Sequence, residues 1–253
     1  MSVRLNARRS QIASYIKKGD SVCDVGTDHG FLPIWIKENE MSDKVIMSDV
    51  SRGSLDKAVR DAEEELEHDD LPDARLGDGL DVLEPGEVDD IVIAGMGGIQ
   101  IIDILSWDIS KTLTYRRFIL QPRRDSALLR KWLSVNGFTI TDQTIVPENG
   151  RYSEIICCTS EGASAEDIGL ADRCTVQELF DRDPDGWMKL EYPDDLRDPS
   201  GHGIDRKYFL SELEKTDYII GNIKANSDAG SDMLRLLNKR KERLEKLCGK
   251  RTS

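Results

Sequence analysis

The chain has 253 residues, enough for one substantial α/β core and a smaller appendage. Its 35 Lys and Arg against 48 Asp and Glu leave a formal net charge of −13, which excludes a generally basic nucleic-acid-binding surface but leaves room for a local basic patch. No apolar run is long enough to span a membrane, and the amphipathic start MSVRLNARRSQIASYI lacks a signal-peptide core, so a cytoplasmic protein is expected.

In chain order, RLNARRSQIASYI places Leu5, Ile12 and Ile16 near helical spacing, and KKGDSVCDVG adds a Gly-Asp turn before a short apolar strand ending at Asp24. FLPIWIKEN follows as a short helix, KVIMSDV as a second strand and SLDKAVRDAEEELEHD as a long exposed helix. DARLGDGL is a third strand running into a Gly-Asp-Gly turn. The Ile91-Val92-Ile93-Ala94 run is a fourth strand, buried on both faces. A helix from about Ile99 to Leu105, a strand at RRFILQP and a helix at SALLRKWLSVNG come next. FTITDQTIVPE and RYSEIICCTS, joined by ENG, predict an antiparallel hairpin at the sheet edge.

Strands alternating with helices predict an α/β fold with a parallel, doubly wound, Rossmann-like sheet. Beyond about Glu161 the text turns to Asp-, Gly- and Pro-rich loops, such as DRDPDGW and YPDDLRDPSGHG, and then to helix from Lys207 to Lys250. There Met233, Leu236, Leu237, Leu244 and Leu247 lie close to heptad spacing, which predicts a helical hairpin or short coiled coil. The expected organisation is an α/β domain over residues 1–160 and a C-terminal helical domain over 161–253. Cys23, Cys157, Cys158, Cys174 and Cys248 contain no C-x-x-C pair, and His29, His68 and His202 are scattered, so neither a metal site nor a disulfide framework is expected.

Ligands of open α/β sheets sit outside the carboxyl ends of the strands. The distinctive loops fall there: Asp24-Val25-Gly26 after the first strand, Asp49 after the second, Asp78-Gly79 after the third, and Ala94-Gly95-Met96-Gly97-Gly98 after the fourth. A nicotinamide loop reads G-x-G-x-x-G and grips a pyrophosphate at a helix N-terminus, whereas this loop runs Gly26-Thr27-Asp28-His29-Gly30 and its acid repels phosphate. S-adenosylmethionine carries a sulfonium cation and no phosphate, so an acidic loop suits it. Each residue also has a plain structural reading. Gly26 and Gly30 allow a tight turn, Asp49 caps the following helix, Asp78 caps a turn, Met96 packs in the core and Asp28 caps the helix near Phe31.

RLNARRSQIASYI, CDVGTDHGFLP, GDGLDVL, IVIAGMGG, FILQP and RYSEI, in that order over roughly the first 160 residues, resemble the bacterial tRNA adenine-N1 methyltransferases named for adenine 22 of the D arm. GTDHGFLP and AGMGG are the most specific parts of the match. The resemblance implies a class I methyltransferase domain with a C-terminal helical coiled-coil domain, S-adenosylmethionine as cofactor and tRNA as substrate. Carried over, the cofactor set is Asp24, Gly26, Thr27, Asp28, His29, Asp49, Val50, Asp78, Gly79, Ala94, Gly95, Met96 and Gly97, and the substrate set is Arg8, Gly98, Gln121, Pro122, Arg123, Arg124 and Tyr152.

Asp28 is the candidate catalytic residue. A carboxylate beside the adenine edge accepts a hydrogen bond from N6, orients the ring and stabilises the positive charge that N1 methylation creates. RNA also needs positive charge around the pocket mouth. Arg8 and Arg9, Arg116 and Arg117, Arg123 and Arg124, and the basic run NKRKERLEKLCGKR are the sequence's sources of it. Two other readings stand beside this one: a methyltransferase acting on another RNA or a small molecule, and a non-catalytic RNA-binding scaffold.

Overall fold

The computed structural model describes residues 3–163, 176–225 and 231–250. Helix α1 (Ala7–Tyr15) opens on Asn6, whose side-chain oxygen accepts the Arg9 N–H, and buries Ile12 and Ala13. There follow β1 (Val22–Val25), α2 (Phe31–Glu38), β2 (Val45–Asp49), α3 (Arg52–Glu65), β3 (Asp73–Leu76), β4 (Asp90–Met96), α4 (Gly98–Trp107), the single turn α5 (Ile109–Thr112), β5 (Arg117–Pro122), α6 (Ser126–Val135), β6 (Thr139–Glu148) and β7 (Arg151–Thr159). All seven strands expected from the sequence are present. They form one sheet in the order β3-β2-β1-β4-β5-β7-β6, with β1 to β5 parallel and β7 antiparallel to both of its neighbours.

Strand periodicity divides the core. Along β4, Ile91 and Ile93 join one buried cluster with Phe118, Leu105 and Leu133, while Val92 joins a second with Ile12, Leu32 and Ile119. Helices thus cover both sheet faces. The chain crosses from β3 at one edge back to β4 beside β1, so the strand order reverses between β1 and β4, the position where such sheets bind ligands.

Beyond the sheet come α7 (Val176–Arg182), α8 (Pro184–Glu191), α9 (Ile204–Ala225) and α10 (Ser231–Lys250). Two of these correct the expectation that residues 161–204 are loops. The text DRDPDGW is a helix start: Asp183 accepts the Gly186 N–H at 2.9 Å and Pro184 occupies the first turn, where its missing N–H costs nothing. Buried Phe180, Trp187 and Met188 then fix α7 and α8 against Ala127 of α6. Helices α9 and α10 run antiparallel, with Phe209 near Leu244 and Leu247 and Asp217 paired to Lys241.

The hairpin stands, but the heptad stripe is not one seam. Leu237, Leu244 and Leu247 are buried, Leu236 faces the Phe180–Trp187 cluster and Met233 is exposed. The free edge of β6 is covered as well: Arg197 exchanges main-chain hydrogen bonds with Gln143 and Ile145. Cys174 and Arg251 lie outside the described residues. Cys23, Cys157, Cys158 and Cys248 are free thiols, and no metal-ligand cluster occurs among the described residues.

Candidate functional site

A cavity of about 300 Å³ opens at the carboxyl ends of β1, β2 and β4, where the strand order reverses. Its floor is the loop after β1. The Gly26 and Thr27 N–H groups donate to the Ser48 carbonyl at 2.8 and 3.0 Å, which turns the chain upward. Gly26 has φ +75°, a backbone conformation that favours glycine, and a Cβ there would displace the Met96 methyl, 2.3 Å away.

Four carboxylates line the space: Asp24, Asp28, Asp49 and Asp78. Asp24 is buried, and its carboxyl is pushed up to about 6 by that burial, against the opposing pull of the Thr27 hydroxyl, which donates to it at 2.8 Å, and of Arg9 and Arg8. Asp28 holds a left-handed φ of 55° and its carboxylate is 67% exposed. It does not cap α2. That position belongs to Gly30, with no side-chain cap bond, so the plain reading of Asp28 fails. Nor does Asp49 cap α3, because Ser51 does so through its hydroxyl, while Asp49 accepts the Ser51 N–H at 2.8 Å. Asp78, exposed in the turn after β3, sits beside Gly79, where a Cβ would press on Ile104 at 3.0 Å.

Thr27, Val50, Gly79, Ala94, Gly95 and Met96 also line the cavity, and Arg8, Arg9 and Arg123 complete the expected residues found there. Arg8 is held at two nitrogens, Nε on Glu148 at 3.0 Å and Nη1 on the Gln121 side-chain oxygen at 2.9 Å. Arg123 lies over Gly95 and makes no ion pair with any described residue.

Other expected residues lie outside the lining. His29 turns toward α3: its ring stacks on Phe31 at 5.1 Å, its Nε2 is 2.8 Å from the Lys57 ammonium and its Nδ1 is 3.4 Å from Asp61. Gly97 and Gly98 form the joint between the β4 and β5 loops, and a Cβ on Gly98 would strike the Asp125 carbonyl at 2.5 Å. Arg124 stands beside Gly97, largely exposed. Gln121 and Pro122 are buried behind the wall, and the Tyr152 ring packs on Tyr208 at 5.4 Å.

Arg116 and Arg117 are at the wrong end of the molecule. Arg117 starts β5 and Arg116 immediately precedes it, and the start of a parallel strand lies at the edge opposite the cavity. There they pair with Asp20, Asp89 and Asp90. The basic run of α10 is likewise largely spent on neighbours: Lys239 on Asp185, Arg240 on Glu191, Lys241 on Asp217 and Arg243 on Asp194.

A methyltransferase-domain model matches residues 5–156. The tRNA (adenine(22)-N(1))-methyltransferase of Bacillus subtilis strain 168 is 31% identical over 169 residues, covering 67% of this chain and 71% of the relative. The chain belongs to the tRNA (adenine-22-N1)-methyltransferase family. Among solved structures, the B. subtilis m1A22 tRNA methyltransferase aligns over 97% of this chain and 99% of its own, with 28% identity and a TM-score of 0.71. A Streptococcus pneumoniae protein provisionally assigned as a tRNA (m1A22) methyltransferase, solved with S-adenosyl-L-methionine, aligns over 97% of this chain and 100% of its own, with 25% identity and a TM-score of 0.71.

The residues of this methyltransferase cavity fit S-adenosylmethionine. Asp24 is a buried carboxylate with only a neutral hydroxyl bonded to it, and a cation in the cavity supplies the charge it lacks. Asp49 ends β2, the position from which such sheets bind ribose hydroxyls. Four acids in one space repel a pyrophosphate and accept a sulfonium and an ammonium.

Of the lining pairs Arg9/Ile12 and Gln100/Ile104, the sequence of this family member points only to Arg9, as positive charge at the pocket mouth. Both pairs carry a signal, since i, i+3 spacing on α1 and i, i+4 spacing on α4 put each pair on one helical face. Arg9 also lies 4.9 Å over the Phe31 ring.

Proposed function

We propose that the protein transfers a methyl group from S-adenosylmethionine to N1 of adenine 22 in tRNA. The observation that carries this reading is the cavity itself, in which acids from three strand ends meet Arg8, Arg9 and Arg123 in a chain of this family. Asp24, Asp49, Asp78 and the Gly26 turn hold the cofactor, which when bound supplies an electrophilic methyl group. Asp28 accepts a hydrogen bond from N6 of the adenine, which aims the N1 lone pair and offsets the charge that the ring gains. The carboxylate also stands ready for the N6 proton, made more acidic by methylation.

The target base of tRNA must be exposed to enter such a pocket, and the mouth must hold the flanking phosphates. Arg123, which has no ion pair with a described residue, and Arg124, largely exposed and only loosely paired with Asp125 at 3.5 Å, supply that charge, because the α10 cations are largely paired. Helices α7 to α10 contribute shape to tRNA docking, and a tRNA substrate suits a cytoplasmic protein. The test is methyl transfer from labelled S-adenosylmethionine to total tRNA, with the product nucleoside identified by mass spectrometry. N1-methyladenosine at position 22 is expected, and no incorporation despite cofactor binding refutes the reading.

Two further results are expected. Replacing Arg123 and Arg124 together with Glu weakens tRNA binding by about tenfold or more and flattens its salt dependence, with cofactor affinity within a few-fold. Unchanged tRNA binding sinks this placement of the mouth. The second concerns pH. Because Asp24 titrates near 6 and a bound cation favours its charged form, cofactor affinity rises from pH 5 through about 6 and levels above 7, and Asp24→Asn removes the rise. Burial raises this carboxyl in the folded state, so its stability contribution is complete below about pH 4 and lost as pH climbs through 6. In the absence of cofactor Asp24→Asn therefore removes this cost and stabilises the fold at pH 7. Calorimetric titration and thermal melts across pH 5–8 check both signs.

A further inference from the structure

The Gln121 side chain is 2% exposed and lies behind the cavity wall, yet it joins two parts of that wall. Its single amide oxygen accepts from Arg8 Nη1 at 2.9 Å and from the Gly95 N–H at 3.1 Å, while its Nε2 donates to the Pro122 carbonyl at 2.9 Å. Gly95 has φ +81° and sits where the β4–β5 register shifts between Ala94 and Met96, so its N–H leaves the strand ladder and finds a side chain instead. Arg8 belongs to α1, which also brings Arg9 and Ile12 to the cavity, and its Nε rests on Glu148, which the capping residue Asn6 also reaches at 2.6 Å.

We propose that Gln121 is a positioning residue that locks α1 and the bulged β4 loop into one unit, fixing Arg8 and the Gly95 peptide relative to each other without touching cofactor or substrate. The role rests on the methyl-transfer reading for its consequence but not for its geometry. An amide suits the position for a stated reason: both outer groups are donors, so one oxygen must serve them, and the nitrogen must face a carbonyl. Losing the oxygen leaves a half-buried peptide N–H and one guanidinium nitrogen without partners, and the loop relaxes toward a regular ladder. A misplacement of about 1 Å in a catalytic wall costs on the order of 100-fold in rate.

The test compares Gln121→Met, which removes the acceptor, with Gln121→Glu, which keeps one oxygen for both donors and, as the protonated acid, a hydroxyl that can donate to the Pro122 carbonyl. Cofactor affinity, methyl-transfer kcat and KM, and amide hydrogen exchange of the free protein are measured on each. The proposal expects Gln121→Met to lose protection at the Gly95 amide and in α1. It also expects kcat to fall about 10–100-fold with cofactor affinity within about threefold, and Gln121→Glu to recover most of both. Wild-type exchange at Gly95 in Gln121→Met overturns it, as does an equal loss of rate in the two variants. Because exchange is read without substrate, it tests the lock even where the methyl acceptor proves to be something other than tRNA, and an unfolded Gln121→Met leaves Gln121→Glu, with protected Gly95 and near-normal kcat, as the deciding measurement.

Discussion

Asp28→Asn is expected to lower the rate of methyl transfer by about 10²- to 10⁴-fold while leaving cofactor affinity within a few-fold. Asparagine is the informative replacement because the site has a φ of 55°, a left-handed conformation that Asn tolerates and Ala does not. The main chain of the loop, including the long contact from the Asp28 N–H to Asp49 at 3.4 Å, is thereby kept. What is removed is the negative charge at an exposed carboxylate on the cavity rim. Single-turnover rates with tRNA, beside calorimetric cofactor titrations, separate the two roles. A rate within tenfold of wild type, or cofactor binding lost in step with activity, reduces Asp28 to a shaper of the loop.

The second large effect is on stability. Arg130 is the most voluminous fully buried side chain among the described residues, and its guanidinium bonds the side chains of Gln143 and Glu154 and, at 3.0 Å, the Leu190 carbonyl. Glu154 in turn accepts the Tyr208 hydroxyl at 2.8 Å. The cluster ties α6, β6 and β7 to α8 and α9. Arg130→Met strands the Glu154 carboxylate in the interior, which costs about 3–5 kcal/mol. For a chain of this size that lowers the thermal midpoint by on the order of 10 °C. The double replacement Arg130→Met with Glu154→Leu recovers part of the loss, since the uncompensated charge goes with it. A midpoint unchanged in the single variant shows that the carboxylate finds water and the cluster carries little.

Much of this was legible in the sequence, for identifiable reasons. The Ile91–Ile93 run admits only a buried strand, and glycines bracketing acids at the strand ends mark the sheet's ligand edge whatever the ligand. Placement within the loops was harder. His29 sits in the most specific motif yet faces Lys57 and Asp61 on α3, because a left-handed residue precedes it and turns its side chain out of the cavity, which sequence spacing does not record. Arg117 lies away from the cavity because strand direction puts the first residue of a parallel strand at the far edge, which polarity alone decides. The Asp-Pro pairs suggest loops, yet Asp183 and Pro184 start a helix, since the same two residues serve either purpose and the buried Trp187 decides between them. The burial of Gln121 follows from the β4 bulge, a tertiary feature with no sequence periodicity.

The main-chain pairing of Arg197 with β6 bears on how this protein can be taken apart. An uncovered outer strand is a template for other chains, and β6 is ten residues long, with Ile145 and Val146 among its buried side chains. The segment around Arg197 closes that edge from the far side of the chain, and the pairing of Arg197 with Asp142 fastens it. A fragment ending near residue 160 keeps every strand and every lining residue of the cavity, but it presents a raw seam to its neighbours. Such a fragment is expected to self-associate in gel filtration, strand to strand, at concentrations where the whole chain does not. The catalytic half and the helical half are therefore not interchangeable parts, and swapping one helical region for another would require a replacement strap as well as a matching core.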